Sequence, residues 1–124
     1  MGAGANPPTR VGAVTLNTGE DAVSAAVIDE GAGYAYFGTY TSPARVVKVA
    51  LGAGANPPTR VGALTLNTGE DYVAGAAVID TTPGYAYFGT YTSPGRVVKV
   101  ALGAGANPPT RIGAVTLNPG EDDL

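Results

Sequence analysis

Gly33-Tyr-Ala-Tyr-Phe-Gly-Thr-Tyr-Thr-Ser-Pro43 is followed by Arg45-Val-Val-Lys-Val-Ala-Leu51, and both runs return almost unchanged as Gly84 to Pro94 and Arg96 to Leu102. The runs are rich in β-branched and aromatic residues, which favour strands, and the Thr-Ser-Pro between them is a turn signal. Each copy therefore predicts two antiparallel strands joined by a tight turn.

This pair of strands belongs to a longer repeat. The segment GAGANPPTR begins at Gly2, Gly52 and Gly103, so the period is 50 and then 51 residues. Aligning the first repeat with the second, and leaving out one inserted residue, gives seven mismatches in 49 pairs. Identity this high indicates a very recent duplication or deliberate design on a consensus.

Each period contains four runs of strand character separated by turn clusters, and in the first copy these are Thr9 to Leu16, Ala22 to Ile28, Tyr34 to Tyr40 and Arg45 to Leu51. Four short antiparallel strands repeated in tandem every 40 to 50 residues are typical of β-propeller blades. A β-solenoid and a β-sandwich are the alternatives. We predict an all-β chain with a lone outer strand and its leading loop in residues 1–21, a first blade in 22–71 and a second in 72–124.

The runs A-V-I-D, G-Y-A-Y-F-G-T and S-P-x-R-V-V-K-V together resemble the YVTN-type, NHL-like propeller repeats of bacterial secreted and surface proteins. That resemblance implies an inner strand at Ala25 to Asp29 and an outer strand at Thr59 to Leu66. It leaves function open among adhesion, binding and occasional enzymatic roles. Two features depart from the pattern: the long loop Gly52 to Pro58, and one extra residue in Tyr72 to Ile79, which predicts a bulge or a displaced turn.

Strand alternation suggests how the blades are buried. The small, almost uncharged run Ala22 to Ile28 is expected to be the most buried strand. Arg45 and Lys48 fall on opposite faces, so at least one of them should extend over apolar surface. Tyr34 and Tyr36 share a face and are expected to pack between blades.

Composition narrows the function classes. The chain has no cysteine and no histidine, which removes disulfides and makes acid–base, nucleophilic and zinc chemistry less favourable. A net charge of −3 argues against a nucleic-acid partner, no apolar run is long enough to span a bilayer, and the N-terminus lacks the features of a signal peptide. We expect a protein that is not an enzyme and needs no cofactor, extracellular or surface-attached if natural.

Two groups of residues are candidates for ligand binding. The repeated turns could present carboxylates to Ca²⁺ or a polyhydroxylated ligand, although solvated turns explain them more simply. Tyrosines beside the strand-pair turn could stack on a carbohydrate, or pack between blades. These candidates are Asn17, Glu20, Asp21, Asn67, Glu70, Asp71, Tyr40 and Tyr91. The glycine-rich loop lacks the lysine of a phosphate loop and is interpreted as a turn.

Two blades leave two apolar faces in water, so self-assembly is the strongest functional prediction. Three chains would close a six-bladed ring, four an eight-bladed one and two a cramped four-bladed one, and a trimer is favoured. The near-duplicate outer runs compete for one sheet edge, either as a strand-swapped clasp or in a head-to-tail fibre. Their predicted assembly residues are Thr9, Val11, Val14, Leu16, Thr110, Ile112, Val115 and Leu117.

Overall fold

A computed structural model describes residues 4–124, and these residues form an all-β structure of two sheets. The first sheet contains β1 (Val23–Asp29), β2 (Tyr34–Thr39), β3 (Arg45–Ala50) and β4 (Thr59–Thr65). The second contains β5 (Val73–Asp80), β6 (Tyr85–Thr90), β7 (Arg96–Ala101) and β8 (Thr110–Thr116). In each sheet the four strands pair antiparallel in chain order. The predicted all-β fold of four-stranded, propeller-like blades is confirmed. No helix in residues 4–124 has the length and apolarity needed to cross a membrane.

A threonine fixes the tight turn at the centre of each blade. Thr39 is buried at the end of β2, and its Oγ1 accepts a hydrogen bond of 2.8 Å from the backbone N–H of Arg45. Thr90 does the same for Arg96 at 3.0 Å. Because the hydroxyl accepts from a part-buried backbone N–H at the turn, the chain can reverse direction there without leaving this donor unpaired.

The extra residue of the second inner strand produces the predicted bulge. Between Val73 and Ala77 the register of β5 against β6 shifts, and Gly75 within this interval has a φ of 86°. The first blade has a smaller irregularity between Val23 and Ala25. Glycine accommodates the positive φ at no steric cost, so the insertion is absorbed locally and the remaining register is kept.

The two blades pack face to face. We call the side of each sheet that carries Tyr36 or Tyr87 the tyrosine face, and the opposite side, which carries Phe37 or Phe88, the phenylalanine face. The tyrosine face of the first blade packs against the phenylalanine face of the second, and this contact contains the hydrophobic core. The contact is closest between the inner strands β1 and β5. Convergence at the inner strands is the geometry of neighbouring propeller blades.

Two expectations differ from the structure. Strand β1 is mostly exposed and β3 is the most buried strand of the first blade, because β1 is an edge strand with nothing inside it in a two-blade chain. Residues 9–16, predicted as a lone outer strand, form no strand, although their counterparts Thr59–Thr65 and Thr110–Thr116 do. A strand needs an edge to pair with, and β4 and β8 already occupy the outer edges of β3 and β7.

Candidate functional site

The interface between the two blades, called the joint below, contains the hydrophobic core and is the candidate functional site. Its apolar part is built from the tyrosine face of the first blade (Ala25, Tyr36, Ala44, Val46, Leu66) and the phenylalanine face of the second (Val73, Ala86, Phe88, Val98, Val100, Leu102). Gly38 allows the sheets to approach, since a Cβ at this position would lie 2.5 Å from Val73 Cγ1. A side chain there would force the inner strands apart.

A buried lysine crosses the joint. Lys48 is completely buried, and its Nζ donates to the backbone oxygens of Leu102 (3.2 Å), Gly103 (3.0 Å), Gly105 (2.6 Å) and Asn107 (2.9 Å). We call the loop that supplies these oxygens, residues 102–107, the carbonyl cage of the second blade. Lysine burial is tolerated only when the ammonium is compensated, and here the second blade supplies the acceptors.

Aromatic rings complete the surroundings of this ammonium. Lys48 Nζ lies 4.3 Å from the ring centre of Tyr34 and 5.6 Å from that of Tyr36, both within the range of a cation–π contact. Burial nevertheless lowers the pKa of Lys48, because the charged form loses its hydration. The sequence predicts that Arg45 or Lys48 extends over apolar surface. In the structure Lys48 crosses the joint, and its ammonium is bonded to backbone carbonyls of the second blade.

The tyrosine stripe also belongs to the joint. The hydroxyl of Tyr36 donates a 3.3 Å hydrogen bond to the backbone oxygen of Leu102, and the side chain is buried. Burial, with smaller effects of Asp29 and Tyr34, raises the pKa of Tyr36 to about 12. The predicted packing of Tyr34 and Tyr36 between blades is confirmed.

An ion pair ties each turn to the following outer strand. Arg60 Nε donates to Glu20 Oε1 at 2.8 Å, and Arg111 Nε donates to Glu70 Oε1 at 2.9 Å. The hydrogen bond from Arg60 lowers the pKa of Glu20. Burial raises the pKa of Glu70, but hydrogen bonds from Arg111 and from the backbone N–H at position 67 outweigh it, so this pKa also lies below its ordinary value.

The two outer faces of the two-blade unit repeat the two faces of the joint. The first blade exposes a phenylalanine face, and the second blade exposes a tyrosine face. On the free phenylalanine face of the first blade, Val23 is 45% exposed, whereas its counterpart Val73 in the joint is 0% exposed. On the free tyrosine face of the second blade, Val78 is 63% exposed, whereas its counterpart Val27 packs against the core. Ile28 and Val115 follow the same pattern at 47% and 55%. The two open faces thus carry the side chains that are joined inside the chain.

The carbonyl cage also has a free copy. In the loop 51–56, Gly52 and Gly54 have φ values of 79° and 57°, against 77° and 51° for Gly103 and Gly105. The hydrogen bond of 3.0 Å from Asn56 N to Ala53 O repeats that from Asn107 N to Ala104 O. The loop is therefore folded into the same shape at the open end of the first blade.

The N-terminal segment covers part of that open face. Val14 and Leu16 lie over an apolar depression with Phe37 and Val49. A Cβ on Gly12 would lie 2.7 Å from Pro57 Cβ, just as one on Gly62 would lie 3.0 Å from Pro108 Cβ. Residues 12–16 thus occupy, against the first blade, the place that β4 occupies against the second.

The predicted ligand-binding residues are distributed over several places. Tyr40 and Tyr91 are exposed and meet at 6.0 Å between ring centres, and Tyr72 lies 4.8 Å from Tyr40. Glu20 and Glu70 are buried in their ion pairs, whereas Asn17, Asn67 and Asp21 are exposed and Asp71 is half-buried. Within residues 4–124, no group of three acidic side chains is close enough to hold a metal ion.

Sequence reasoning missed several residues of the joint. The alternation of β3 predicts that Arg45 or Lys48 extends over apolar surface but not that Lys48 meets carbonyls, and the glycine-rich loop is interpreted there only as a turn. The signal available was that R-V-V-K-V occurs twice and is followed by A-L-G-A-G-A-N-P-P both times. Tyr72 was missed because the corresponding position is Ala22 in the first repeat.

Comparison of the chain with protein-family models, with curated proteins and with solved structures found no match. The resemblance to YVTN-type repeats accordingly stays a prediction.

Proposed function

We propose that this chain is a self-assembling β-propeller scaffold, not an enzyme, in which the second blade of one copy docks onto the first blade of another. The observation that carries the proposal is the match between open and joined surfaces. The open tyrosine face and the open phenylalanine face are copies of the two faces that already pack together between the blades. A surface that forms a joint within the chain is therefore presented, in complementary halves, at its two ends.

The energetics favour a closed ring over an isolated pair of chains. A fully buried aliphatic or phenylalanine side chain contributes about 1.5–3 kcal/mol, so burying the half-exposed Val23, Ile28, Val78 and Val115 contributes about 3–6 kcal/mol per joint. Association costs about 4–15 kcal/mol in lost translational and rotational freedom. One joint between two chains is therefore marginal. The joint that closes a ring forms within the assembly and avoids most of that cost.

The contact between two copies would be heterologous, since a tyrosine face meets a phenylalanine face. Heterologous contacts give rings when the rotation closes and fibres when it does not. We propose a ring of three chains, with six blades, and a ring of four chains as the next choice. A head-to-tail fibre is the outcome expected if the rotation per blade fails to close.

The terminal segments add a competition at the new joint. In the single chain, residues 9–21 pack against the first blade of the same copy. In a ring, β8 and the turn 118–122 of the neighbouring copy would need that same position. Glu121 already accepts a 2.7 Å hydrogen bond from Asn118 N, as Glu20 does from Asn17 N. Because β8 is paired and residues 9–16 are not, we propose that β8 remains and that the N-terminal segment is displaced.

The mass of the purified chain in solution tests this proposal. Sedimentation velocity and native mass spectrometry over a wide range of concentration should give one discrete species of three or four chains. A series of masses that grows with concentration would indicate the fibre instead. A monomer at all concentrations would contradict the scaffold proposal.

A second candidate is a ligand-binding, lectin-like or adhesive module, and the exposed tyrosines Tyr40, Tyr72 and Tyr91 favour it. Their rings lie together at one end of the two blades, and aromatic faces stack on sugars and other flat apolar surfaces. Binding to a glycan array that is lost in Tyr40→Ala would support this candidate. Absence of any signal above background would remove it.

A further inference from the structure

The open end of the first blade carries a copy of the carbonyl cage, and no lysine among residues 4–124 is bonded to it. Its loop 51–56 has the fold of the cage that holds Lys48. The anchoring hydrogen bond is also repeated, since Leu51 N donates to Gly33 O at 3.0 Å and Leu102 N donates to Gly84 O at 3.1 Å. By the internal repeat, the oxygens that correspond to the cage of Lys48 are those of Leu51, Gly52, Gly54 and Asn56.

A matching ammonium lies at the other end of the two-blade unit. Lys99 Nζ lies 4.1 Å from the ring centre of Tyr85 and 5.8 Å from that of Tyr87. These distances repeat those of Lys48 from Tyr34 and Tyr36 within about 0.2 Å. Among residues 4–124 no acceptor is bonded to Lys99, so the group is held in the orientation of Lys48 with only the aromatic half of its surroundings.

We infer that loop 51–56 is a receptor for a primary ammonium and that its occupant is Lys99 of a second copy. The inference rests on the proposed assembly for its occupant, but the receptor itself rests on the internal repeat. Docked in this way, the three N–H donors of Lys99 would be shared among four carbonyl oxygens, as those of Lys48 are.

This contact selects for the correct partner and register. When the two faces close, water leaves the loop, and each carbonyl that is left without a donor costs about 1–3 kcal/mol. A joint that closes without an ammonium at this place therefore incurs this cost for several carbonyls at once. The apolar faces alone tolerate small slips, whereas a point charge that must reach four oxygens does not.

Two lysine variants test the occupant. Lys99→Met should weaken assembly by at least about 100-fold in the concentration at half-association, measured by sedimentation, because the carbonyls are buried unsatisfied. Lys99→Arg keeps the charge, but its planar guanidinium does not fit a cage built around a compact ammonium, so it should also weaken assembly. Both variants should keep the melting temperature of the monomer, since Lys99 makes no contact across the existing joint. Assembly of Lys99→Met at the wild-type concentration would overturn the inference.

A small probe tests the receptor independently of assembly. Methylammonium chloride should produce saturable amide NMR shifts at Gly52 and Gly54 in a variant that cannot associate, such as Val78→Asp. Tetramethylammonium chloride, which has no N–H donor, should not produce them at equal ionic strength. Equal shifts with both salts would overturn the receptor. If methylammonium saturates the loop while the wild-type chain stays monomeric at all concentrations, the scaffold proposal is contradicted and the receptor stands.

Discussion

Replacing Val78 by aspartate should abolish assembly while leaving the fold of the single chain intact. Val78 lies on the open tyrosine face and is 63% exposed, whereas its counterpart Val27 packs against the core of the joint. In the single chain the new carboxylate would remain in water, so the free energy of unfolding should change by less than about 0.5 kcal/mol. In the assembly the same carboxylate would face the apolar surface of another copy.

The size of the effect follows from the exposure of the valine. Burying the remaining surface of Val78 contributes about 1 kcal/mol. Burying an unpaired carboxylate in its place costs about 2–3 kcal/mol even when the site is partly solvated. The sum of about 3–4 kcal/mol corresponds to a joint that is weaker by about 100- to 1000-fold. A ring of three such joints would not form at micromolar concentration.

Sedimentation velocity measures the loss, and Ser93→Asp is the matched control. Ser93 lies in a turn of the same blade, and its counterpart Ser42 is exposed even though the first blade is joined on its tyrosine face. The control adds the same charge to a site that stays in water, so it should assemble as the wild type does. If Val78→Asp retains the wild-type oligomer, the open tyrosine face is not the docking surface and the proposal fails.

Three further outcomes follow from the same contacts. Removal of residues 1–21 should lower the concentration needed for assembly, measured by sedimentation, because a competitor for the open phenylalanine face is gone, whereas loss of the oligomer would identify this segment as the clasp. Phe88→Ala should lower the free energy of unfolding in denaturant by about 3–5 kcal/mol, and Phe37→Ala, on the open face, by clearly less; equal losses would mean that the two faces are equally buried in the single chain. Glu20 and Glu70 have lowered pKa values in the folded chain, so their ion pairs stabilise the fold above about pH 4.5 and lose this contribution as the pH falls below it. The variant Glu70→Gln should therefore be less stable than the wild type at pH 7. In a series of melts at decreasing pH, it should also lose less stability than the wild type.

The sequence predicts the sheets well because the deciding signals are local. The runs around Tyr36 and Tyr87 contain the alternation, the turn residues and the strand formers that a hairpin needs, and each run returns in the next repeat. The bulge around Gly75 was likewise predictable, since an inserted residue in an aligned repeat has to be absorbed somewhere. These features require no knowledge of which blade faces which.

The site is less predictable because it depends on contacts between repeats. Lys48 and the cage loop are separated by more than 50 residues, and neither run by itself distinguishes a lysine in water from one among carbonyls. The exposure of β1 was also mispredicted, because small apolar residues indicate burial only if a neighbour covers them. Whether that neighbour exists depends on the number of chains, which composition does not encode.

The repeat gives this chain an unusual property: each interaction can be compared with a copy of itself in a different environment. Lys48 and Lys99 have the same sequence context and equivalent tyrosines, yet within residues 4–124 only Lys48 has acceptors. Val73 and Val23, or Val27 and Val78, differ in exposure for the same reason. The sequence around each member is nearly the same, and the strand partner is equivalent, so the difference in environment follows from the missing neighbour. The unsatisfied member of each pair therefore indicates the chemistry of the partner that would satisfy it, and for every pair considered that chemistry is present at the opposite end of the same chain.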